Sequence, residues 1–575
     1  MKRRNVLKMG ATGTGAGLLM PRTSNADLLF PDGFKPSITA KPSPPVIPFK
    51  DPLFEMPVAQ TIDPASLVPE PDPLRHQRYD EFLPEKFYIE RLHEFPWVYH
   101  SEPPYDQGSW SWGFSGGGFE DIVPGPTYDA YYGEPVFVRR HNDLPALGSA
   151  EANVRFALPS LTMHLHNAHT ASESDGIPQD FYNPGEFWDH HYANFPAGFD
   201  EREIMGTLWY HDHRLDFTGP NVYAGLTGMY RLFDEKDSNN ERDHNPNAFR
   251  LPSGQYDVPL ILHDVQFDEF GQVVWDFFNP EPTADGGLDP LYTVNGMLGD
   301  RFTVNRRIQP HFKVEARKYR FRVLNGGPSR FYELFLRADN NKEVDFFVIS
   351  NDGNLLPEPL RRKSIRLGVA QRHDIIVDFT RFRPGQHVYM VNRMEMRDDG
   401  AGPTGRQLDE GDQVMRFDIV RRDHRDPSRI PDFMRELPDI NLNEVRRERL
   451  FVFDYDNGLW TINGKLMDPN RVDAAIESGS AEIWTWRNAG NAWSHPIHTH
   501  FEEFQILEVN GKPVPKHSVL NSRKDVIRLG PNDEIKFYGR WRDFLGKHVM
   551  HCHNVVHEDH AMMIRWDMVP PGEGD

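Results

Sequence analysis

Four histidine triplets of the form His-x-His are the strongest chemical signal in this sequence. They are His164-Leu165-His166, His211-Asp212-His213, His498-Thr499-His500 and His551-Cys552-His553. Among the 26 histidines of the chain, independent placement would give roughly one such triplet, so four of them indicate a shared purpose. Residues two apart on a strand share a face, so each triplet would aim two imidazoles in one direction. Eight converging neutral imidazoles predict a site for several transition-metal ions.

The single cysteine of the chain, Cys552, stands between two of these histidines. One cysteine cannot form a disulfide within the chain, so the thiol needs another use. If His551 and His553 face one side of a strand, Cys552 faces the other side. The sequence therefore predicts a second metal site across the backbone from the first.

Residues around Cys552 could complete that second site. His495 lies three positions before His498, an odd offset that lets it point to the same side as the thiol. His557 and Met562 follow the cysteine in a predicted loop that can curl back. Two histidines, a thiolate and a weak axial methionine are the ligands of a blue-copper electron-transfer centre. Electrons would then pass through the few covalent bonds that join Cys552 to its neighbours.

Simpler interpretations exist for each residue taken alone. A lone buried cysteine is usually a small hydrophobe, and an isolated histidine pair usually lies on the surface or is hydrogen-bonded in a core. The joint pattern outweighs these interpretations. Zinc is the main rival metal, but structural zinc prefers closed four-ligand sites, which eight histidines exceed. A storage protein could use the same ligands, but it would not require the thiolate between two cluster histidines.

The elements that must position these residues are predicted to be β-strands. Short Val, Ile, Phe and Tyr runs alternate with turns in a chain of 45 Gly and 48 Pro, and helical periodicity is scarce. The strand-like runs form three blocks, at 85–240, 250–425 and 440–575, after a Pro-rich extended segment at 27–84. Each block suits a small antiparallel sandwich or barrel. Two triplets fall in the first block, two in the third and none in the second.

The charge of the chain argues against several kinds of partner. The 575 residues carry a formal net charge of −21, so a nonspecific attraction to nucleic acid or to an anionic membrane is not expected. After the N-terminus, the sequence has no segment with the unbroken apolar length of a membrane span.

The N-terminus predicts export. Arg3 and Arg4 precede a short, mildly apolar stretch rich in Gly, Ala and Thr, a pattern typical of a twin-arginine signal covering residues 1–26. Ser24 and Ala26 are small residues that suit a cleavage region. The protein is therefore expected in the periplasm or outside the cell. A basic, disordered N-terminus is the alternative.

The triplets and their flanks resemble a known family. The segments HLHNAHTASESDG, LWYHDH, HPIHTH and MHCHNVVHEDHAMM are similar to the four copper motifs of the multicopper oxidases, in the branch of bilirubin oxidase and bacterial spore-coat laccase. Framework segments such as PGPTYDAYYGEPVFVR and EARKYRFRVLNGGPSRFYELFL extend the resemblance over about residues 85–570. The resemblance implies an all-β fold of three cupredoxin-like Greek-key β-sandwich or barrel domains, with a copper cluster between the first and the third.

The resemblance also implies four copper ions and their ligands. The blue, type 1 copper would be held by His495, Cys552, His557 and Met562. Met563 is the alternative to Met562 as the axial residue. The type 2 copper would be held by His164 and His498. The two type 3 coppers would be held by His166, His211, His213, His500, His551 and His553.

Four residues gain further roles from the resemblance. Glu558 and Asp175 match acidic positions that supply or relay protons for dioxygen reduction. A surface ion pair for Glu558 and an Asp-Gly turn for Asp175 are the simpler alternatives. Electrons from the substrate would enter at His495 and Trp493, although Trp493 could simply pack.

Other residues near the motifs are expected to have lesser roles. Extra histidines should form hydrogen bonds or lie on the surface, namely His169, His190, His191 and His560. Glu502 and Glu503 would be solvated, relay protons or bind a cationic metal substrate. Cuprous ions could be bound by Met390, Met394 and Met396, which fall far short of a methionine-rich insertion.

The implied function is an oxidase that couples one-electron oxidation of phenols, aromatic amines or tetrapyrroles to four-electron reduction of dioxygen to water. The alternative is a metal oxidase acting on Mn(II), Fe(II) or Cu(I). A copper-binding or electron-carrier protein without oxygen chemistry is a third hypothesis, against which the complete cluster argues. The expected partners are dioxygen and a small-molecule or metal-ion reductant, with no nucleic acid, and the protein is expected to be a monomer.

Overall fold

Three pairs of β-sheets follow one another along the chain. The computed structural model describes residues 42–275, 281–282, 288–289, 295–398, 400–421, 425–456 and 459–575. The predicted export signal at 1–26 lies outside the described residues, as does the start of the Pro-rich segment.

The first sheet pair is built from strands between residues 86 and 233. Its strands are β1 (Lys86–Trp97), β2 (Ser109–Gly116), β3 (Phe119–Ile122), β4 (Tyr128–Tyr131), β5 (Val136–Asn142), β6 (Met163–His166), β7 (Phe187–Tyr192), β8 (Thr207–Asp212) and β9 (Thr227–Phe233). One sheet has the order β3-β2-β1-β5-β7 and the other β4-β9-β8-β6. Aromatic and branched side chains from both sheets fill the core between them.

The second sheet pair contains none of the histidine triplets. Its strands are β10 (Asp257–Val265), β13 (Arg301–Val304), β14 (Arg307–Ile308), β15 (His311–Glu315), β16 (Lys318–Asn325), β17 (Tyr332–Ala338), β18 (Phe346–Asn351), β19 (Asn354–Arg362), β20 (Ser364–Leu367), β21 (Arg372–Asp378), β22 (His387–Met396) and β23 (Pro403–Val420), with a separate two-stranded sheet of β11 (Glu281–Pro282) and β12 (Leu288–Asp289). The two large sheets have the orders β14-β13-β10-β16-β21-β18-β19 and β15-β23-β22-β17-β20.

The third sheet pair carries Cys552 and two triplets. Its strands are β24 (Val445–Asp456), β25 (Leu459–Ile462), β26 (Ala474–Glu477), β27 (Ser480–Asn488), β28 (His495–Thr499), β29 (Phe504–Val509), β30 (Lys512–Pro513), β31 (Arg523–Lys524), β32 (Val526–Leu529), β33 (Glu534–Trp541), β34 (Gly546–Cys552) and β35 (Met563–Val569). One sheet has the order β25-β24-β27-β33-β29-β30, with β31 also on β29, and the other has the order β26-β35-β34-β28-β32.

Each of the six large sheets in the described chain contains one parallel strand pair. The parallel pairs are β1 with β5, β4 with β9, β10 with β16, β15 with β23, β24 with β27 and β26 with β35. The all-β prediction is confirmed. The parallel pairs were not predicted, because strand periodicity carries no information about a neighbour's direction. The predicted domain boundaries stay a prediction.

Helices are short and few in the described residues. The α-helices are α1 (Thr218–Ala224) and α2 (Val555–Asp559). Single-turn 3₁₀ helices lie at Pro64–Ser66, Pro73–Arg75, Tyr105–Gln107, Ser172–Ser174, Ala197–Phe199, Glu201–Glu203, Gly254–Tyr256, Phe379–Arg381 and Leu442–Glu444. None of the helices in this described part has the length and apolarity needed to cross a membrane.

The two α-helices join the first and third sheet pairs. The backbone N–H of Gly219 in α1 donates to Asp559 Oδ2 in α2 at 3.0 Å. A Cβ atom at Gly219 would lie only 2.8 Å from that oxygen, so glycine permits the approach. This contact holds the two sheet pairs that carry the histidine triplets against each other.

Candidate metal centre

The triplets lie on two pairs of neighbouring antiparallel strands. In the first sheet pair β6 lies beside β8, with His164 opposite His211. In the third pair β28 lies beside β34, with His498 opposite His551. All eight triplet histidines are at most 1% exposed. Period-two geometry therefore gathers them, as the sequence predicted.

The two strand pairs face each other, so their imidazoles meet. The His164 ring stacks on His500, and the His166 ring stacks on His498, each with centroids 3.8 Å apart. Three groups of ligand nitrogens lie within 4.8 Å of one another: His164 with His166 and His498, His166 with His211 and His553, and His213 with His500 and His551. These groups are compatible with several copper ions, and His166 belongs to two of them.

One nitrogen of three of these rings is bound to a main-chain carbonyl, which fixes the orientation of the ring. His211 Nδ1 donates to the Asp212 carbonyl at 2.8 Å, and His498 Nδ1 donates to the Asp525 carbonyl at 2.9 Å. His164 Nδ1 donates to the Asp175 carbonyl. Within the described chain, the other ring nitrogen of each of these three has no hydrogen-bond partner. Buried polar atoms without partners are rare, so this donor set fits metal ions.

The environment keeps six of the eight imidazoles neutral. Burial, followed by the proximity of the other histidines, holds the pKa well below the usual value for His166, His211, His213, His498, His500 and His553. A neutral imidazole offers a lone pair to a metal, whereas an imidazolium does not. The cluster therefore suits metal ligation at neutral pH.

Two buried carboxylates contact different histidines of the cluster. Asp175 Oδ2 accepts a hydrogen bond from His500 Nδ1 at 2.8 Å and lies 3.3 Å from His548 Nδ1. Glu558 Oε1 lies 3.2 Å from His213 Nδ1, and its Oε2 lies 3.1 Å from His551 Nδ1. The surface ion pair considered for Glu558 is excluded, because its side chain is 1% exposed.

The thiol of Cys552 lies in a second group, across β34 from the cluster. Cys552 Sγ lies 3.6 Å from His495 Nδ1 and 3.5 Å from His557 Nδ1, and these two nitrogens are 3.1 Å apart. Burial raises the pKa of the Cys552 thiol well above its usual value. Three soft and borderline donors thus converge in a site closed to solvent, which suits copper.

Met562 and Met563 lie in different cores. Met562 is fully buried in the same core as Cys552, and its carbonyl accepts a hydrogen bond from the Cys552 N–H at 3.0 Å. Met563 pairs with His551 across the strands and packs with Val549 in a separate cluster. The position of Met562 favours it over Met563 as the axial residue.

His557 lies on the helix α2 rather than in the predicted loop. Asn554 caps this helix by accepting from the Val556 N–H, which turns the chain back towards Cys552. The His557 Nε2 donates to the backbone carbonyl of Asn295 at 2.7 Å. The helix therefore presents the Nδ1 of His557 to the thiol.

Trp460 lies outside the sequence motifs and packs directly on the thiol site. Its ring stacks on His557 with centroids 4.0 Å apart and lies 5.2 Å from the His495 ring. Trp493 contacts Trp460 edge-on at 5.1 Å and donates its Nε1–H to Asn295 Oδ1 at 3.3 Å. Trp493 is half-buried, whereas His495 is 1% exposed.

The extra histidines are buried and hydrogen-bonded. His169 Nε2 pairs with Asp543, and the main-chain acceptors are Met163 for His190, Phe82 for His191 and Val556 for His560. The expected hydrogen-bonding role is therefore confirmed for His169, His190, His191 and His560.

Glu502 and Glu503 are not solvated. They are 3% and 6% exposed, and Glu503 Oε2 lies 2.8 Å from Arg523 Nη2. Burial raises the pKa of both carboxyls. The sequence does not show whether the residues that follow a strand are buried. The prediction that Glu502 and Glu503 are solvated is therefore wrong.

The three methionines considered for cuprous ions are core residues. Met394 and Met396 pack with Phe331, and Met390 is 1% exposed in the core of the second sheet pair. Met396 Sδ accepts from the Phe331 N–H at 3.4 Å. Packing accounts for all three.

Comparison with known proteins agrees with this geometry. A family model described as multicopper oxidase matches residues 439–571. The bilirubin oxidase of Albifimbria verrucaria is 32% identical over 464 residues, covering 78% of this chain and 71% of that protein. The laccase of Bacillus subtilis (strain 168) is 29% identical over 503 residues, covering 80% of this chain and 90% of that protein.

The solved structures show the same fold. The McoA multicopper oxidase from the hyperthermophile Aquifex aeolicus superposes with a TM-score of 0.70 at 22% identity, covering 90% of this chain and 99% of that one. The fold is thus the predicted cupredoxin-like one. The chain belongs to the multicopper oxidase family: it is an oxidoreductase that binds four copper ions and uses dioxygen as its electron acceptor.

Proposed function

We propose that this oxidase takes single electrons from organic donors of the laccase and bilirubin oxidase kind, namely phenols, aromatic amines or tetrapyrroles. The proposal rests on one observation above all. The thiol of Cys552 and the ring of His551 belong to consecutive residues, yet they enter the two separate donor groups of the site. The names of the relatives, bilirubin oxidase and laccase, favour organic donors.

The proposed type 1 ligands are the residues that converge on the thiol. His495 and His557 contribute Nδ1, Cys552 contributes Sγ, and Met562 contributes its thioether from the same core. Trp460 closes this group against water, since it is 1% exposed and stacks on His557. A dry, fixed ligand set limits the rearrangement that accompanies electron transfer.

The proposed ligands of the other three coppers follow the grouping of the nitrogens. His164 and His498 would hold the type 2 copper. The first type 3 copper would be held by His166, His211 and His553, and the second by His213, His500 and His551.

Copper held by the thiol group of residues would supply one-electron oxidation of the donor, and copper held by the histidine cluster would supply four-electron reduction of dioxygen. The chain supplies the route between the two sites, because Cys552 is covalently joined to His551 and His553. The chain also excludes water, since all eight cluster histidines are at most 1% exposed. These features favour complete reduction over the release of partly reduced oxygen.

Protons for water formation are proposed to come through Asp175 and Glu558. Asp175 contacts His500, and Glu558 lies between His213 and His551, so each carboxylate contacts imidazoles of the histidine cluster. The same contacts also orient the rings. Both roles are compatible with a carboxylate that accepts an imidazole N–H.

Electrons are proposed to enter at the surface formed by Trp493 beside His495. His495 itself is 1% exposed, so a donor would touch the half-buried Trp493 first. Trp460 connects that ring to both copper-binding imidazoles. A planar aromatic donor can stack on such a ring.

Oxidation of Mn(II), Fe(II) or Cu(I) is less favoured. Glu502 and Glu503 are buried, and Glu503 is paired with Arg523, so neither is free to bind a metal ion from solvent. A carrier without oxygen chemistry would have no use for the eight-histidine cluster.

An oxygen-electrode screen of the copper-loaded full chain tests the choice of donor. We expect uptake of one dioxygen for every four electrons with 2,6-dimethoxyphenol, an aromatic diamine or bilirubin. Efficient turnover of Mn(II), Fe(II) or Cu(I) together with inactivity towards all organic donors would overturn the proposal.

Export by the twin-arginine route is proposed from Arg3 and Arg4. Fractionation of cells producing the full chain tests this. We expect the protein in the periplasm or medium, and we expect the double variant Arg3→Lys, Arg4→Lys to stay inside the cell. Equal export of both would contradict the proposal.

A further inference from the structure

The second sheet pair, which carries no triplet, reaches the histidine cluster through a buried ionic network. The network consists of Asp352 and Arg372 from the second sheet pair and Lys524 and Asp525 from the third. All four are at most 1% exposed. The network contains two basic and two acidic side chains.

Asp525 holds two cluster histidines at once. Its Oδ1 accepts from His166 Nε2 at 3.1 Å, and its main-chain carbonyl accepts from His498 Nδ1 at 2.9 Å. These two rings are stacked 3.8 Å apart. Within the described residues, His166 Nδ1 and His498 Nε2 have no hydrogen-bond partner, so they are the nitrogens left for metal. One residue thus selects the ligating nitrogen of both rings.

Arg372 binds the Asp525 carboxylate through one hydrogen bond and one close ion-pair contact. Its Nη1 donates to Oδ1 at 2.7 Å, and its Nη2 lies 2.7 Å from Oδ2. The Arg372 side chain also donates to the main-chain carbonyls of Thr207 and Ala370. Thr207 begins β8, the strand that carries His211. A planar fork fixes the plane of a carboxylate, which a lysine cannot do.

Asp352 fixes the main chain on both sides of this pair. Its Oδ1 accepts from the Arg372 N–H at 3.2 Å, and its Oδ2 accepts from the Val526 N–H at 3.2 Å. Lys524 Nζ donates to the same Oδ2 at 2.9 Å. The backbones that carry Arg372 and Asp525 are therefore locked to each other.

We propose that Arg372 is a positioning residue for the trinuclear copper site, acting through Asp525 to fix the His166 and His498 rings. This inference rests on the proposed copper ligands. It gives the second sheet pair, which carries no histidine triplet, a function in catalysis. That function is to set the geometry of a cluster built by the other two sheet pairs.

Three variants and one control test the proposal in the full chain loaded with copper. Arg372→Leu removes the clamp, Arg372→Lys keeps the charge without the fork, and Asp525→Asn places an amide against the guanidinium. Arg317→Leu is the control, because Arg317 is an equally buried arginine of the same sheet pair whose partners are Glu241 and Asp426.

The readouts are copper per chain, the electron paramagnetic resonance signal of the type 2 copper and the blue absorbance. In Arg372→Leu we expect trinuclear copper affinity to fall by about 10- to 100-fold and the type 2 signal to change, with the blue absorbance kept. Arg372→Lys should show a smaller loss with the same change in signal. The Arg317→Leu control should keep both the copper affinity and the type 2 signal of the wild type.

The proposal is overturned if Arg372→Leu and Asp525→Asn bind four coppers with the wild-type signal. If Arg372→Leu does not fold, the test rests on Arg372→Lys and Asp525→Asn. Wild-type signals in both of these variants would overturn the proposal. Failure of the proposed copper ligands would look different, because the wild-type protein itself would then lack the type 2 signal.

Discussion

Cys552 and His551 are consecutive residues of one strand whose side chains enter different donor groups. Cys552 Sγ lies 3.6 Å from His495 Nδ1, whereas His551 Nε2 lies 3.1 Å from His213 Nε2 on the opposite face of the sheet. Side chains alternate across a strand, so one peptide unit separates the two sites. In the proposed assignment, Cys552 is therefore both a copper ligand and the route by which electrons reach the histidine cluster.

The two adjacent methionines give a matched pair for testing the type 1 site. Met562→Leu should keep the blue colour and raise the reduction potential, because a weak axial sulfur donor tunes that potential. Met563→Leu should leave the potential unchanged, since Met563 lies in another core. A redox titration of the blue absorbance measures both. A shift caused by Met563→Leu alone would reverse the assignment.

Glu558 can be tested for proton supply separately from ring orientation. Glu558→Gln keeps an acceptor for one of the two imidazoles but cannot deliver a carboxyl proton. We expect reoxidation by dioxygen to slow by about 100- to 10,000-fold, with reduction by the donor unchanged. Stopped-flow absorbance of the blue band follows both steps. Reoxidation within twofold of wild type would remove Glu558 from the proton path.

The Pro-rich segment should loosen in acid because of His76. Burial lowers the pKa of His76 to about 4, and electrostatic repulsion from His191 and Arg75 contributes to the shift. The unfolded chain, with a pKa of 6.5, therefore binds more protons between pH 6.5 and 4, and the free energy of unfolding falls as the pH falls through this window. The full loss is on the order of 3 kcal/mol.

His76→Phe should remove that part of the pH dependence, since Phe137 already lines the site. His517→Gln is the control, because the His517 side chain is 73% exposed. Denaturant unfolding at pH 7 and pH 4.5 compares the three proteins. If the free energy of unfolding of His76→Phe falls between pH 7 and pH 4.5 by as much as that of the wild type, another group titrates instead.

The sequence predicted those parts of the site that depend on local geometry. The strand period of two placed the triplet histidines on one face and Cys552 on the other, and the structure gathers them in that way. The helix α2 was not predicted, because Val555 and Val556 are poor helix formers and its asparagine cap is a weak signal by itself.

Residues whose roles depend on distant partners could not be found in this way. Trp460 stacks on a ring 97 positions later in the chain, and Arg372 clamps a carboxylate 153 positions away. Neither residue stands in a motif, and no local spacing connects them to histidines. Only the packing of three sheet pairs reveals them.

The Cys552→Ser variant, loaded with copper, tests whether the thiol joins the two sites. Copper quantitation, visible absorbance and oxygen uptake are measured on one preparation. We expect three coppers per chain, no blue band, an intact type 2 signal and no donor-driven oxygen uptake. Four coppers with full blue colour, or wild-type turnover, would contradict the conclusion that electrons reach the cluster through Cys552.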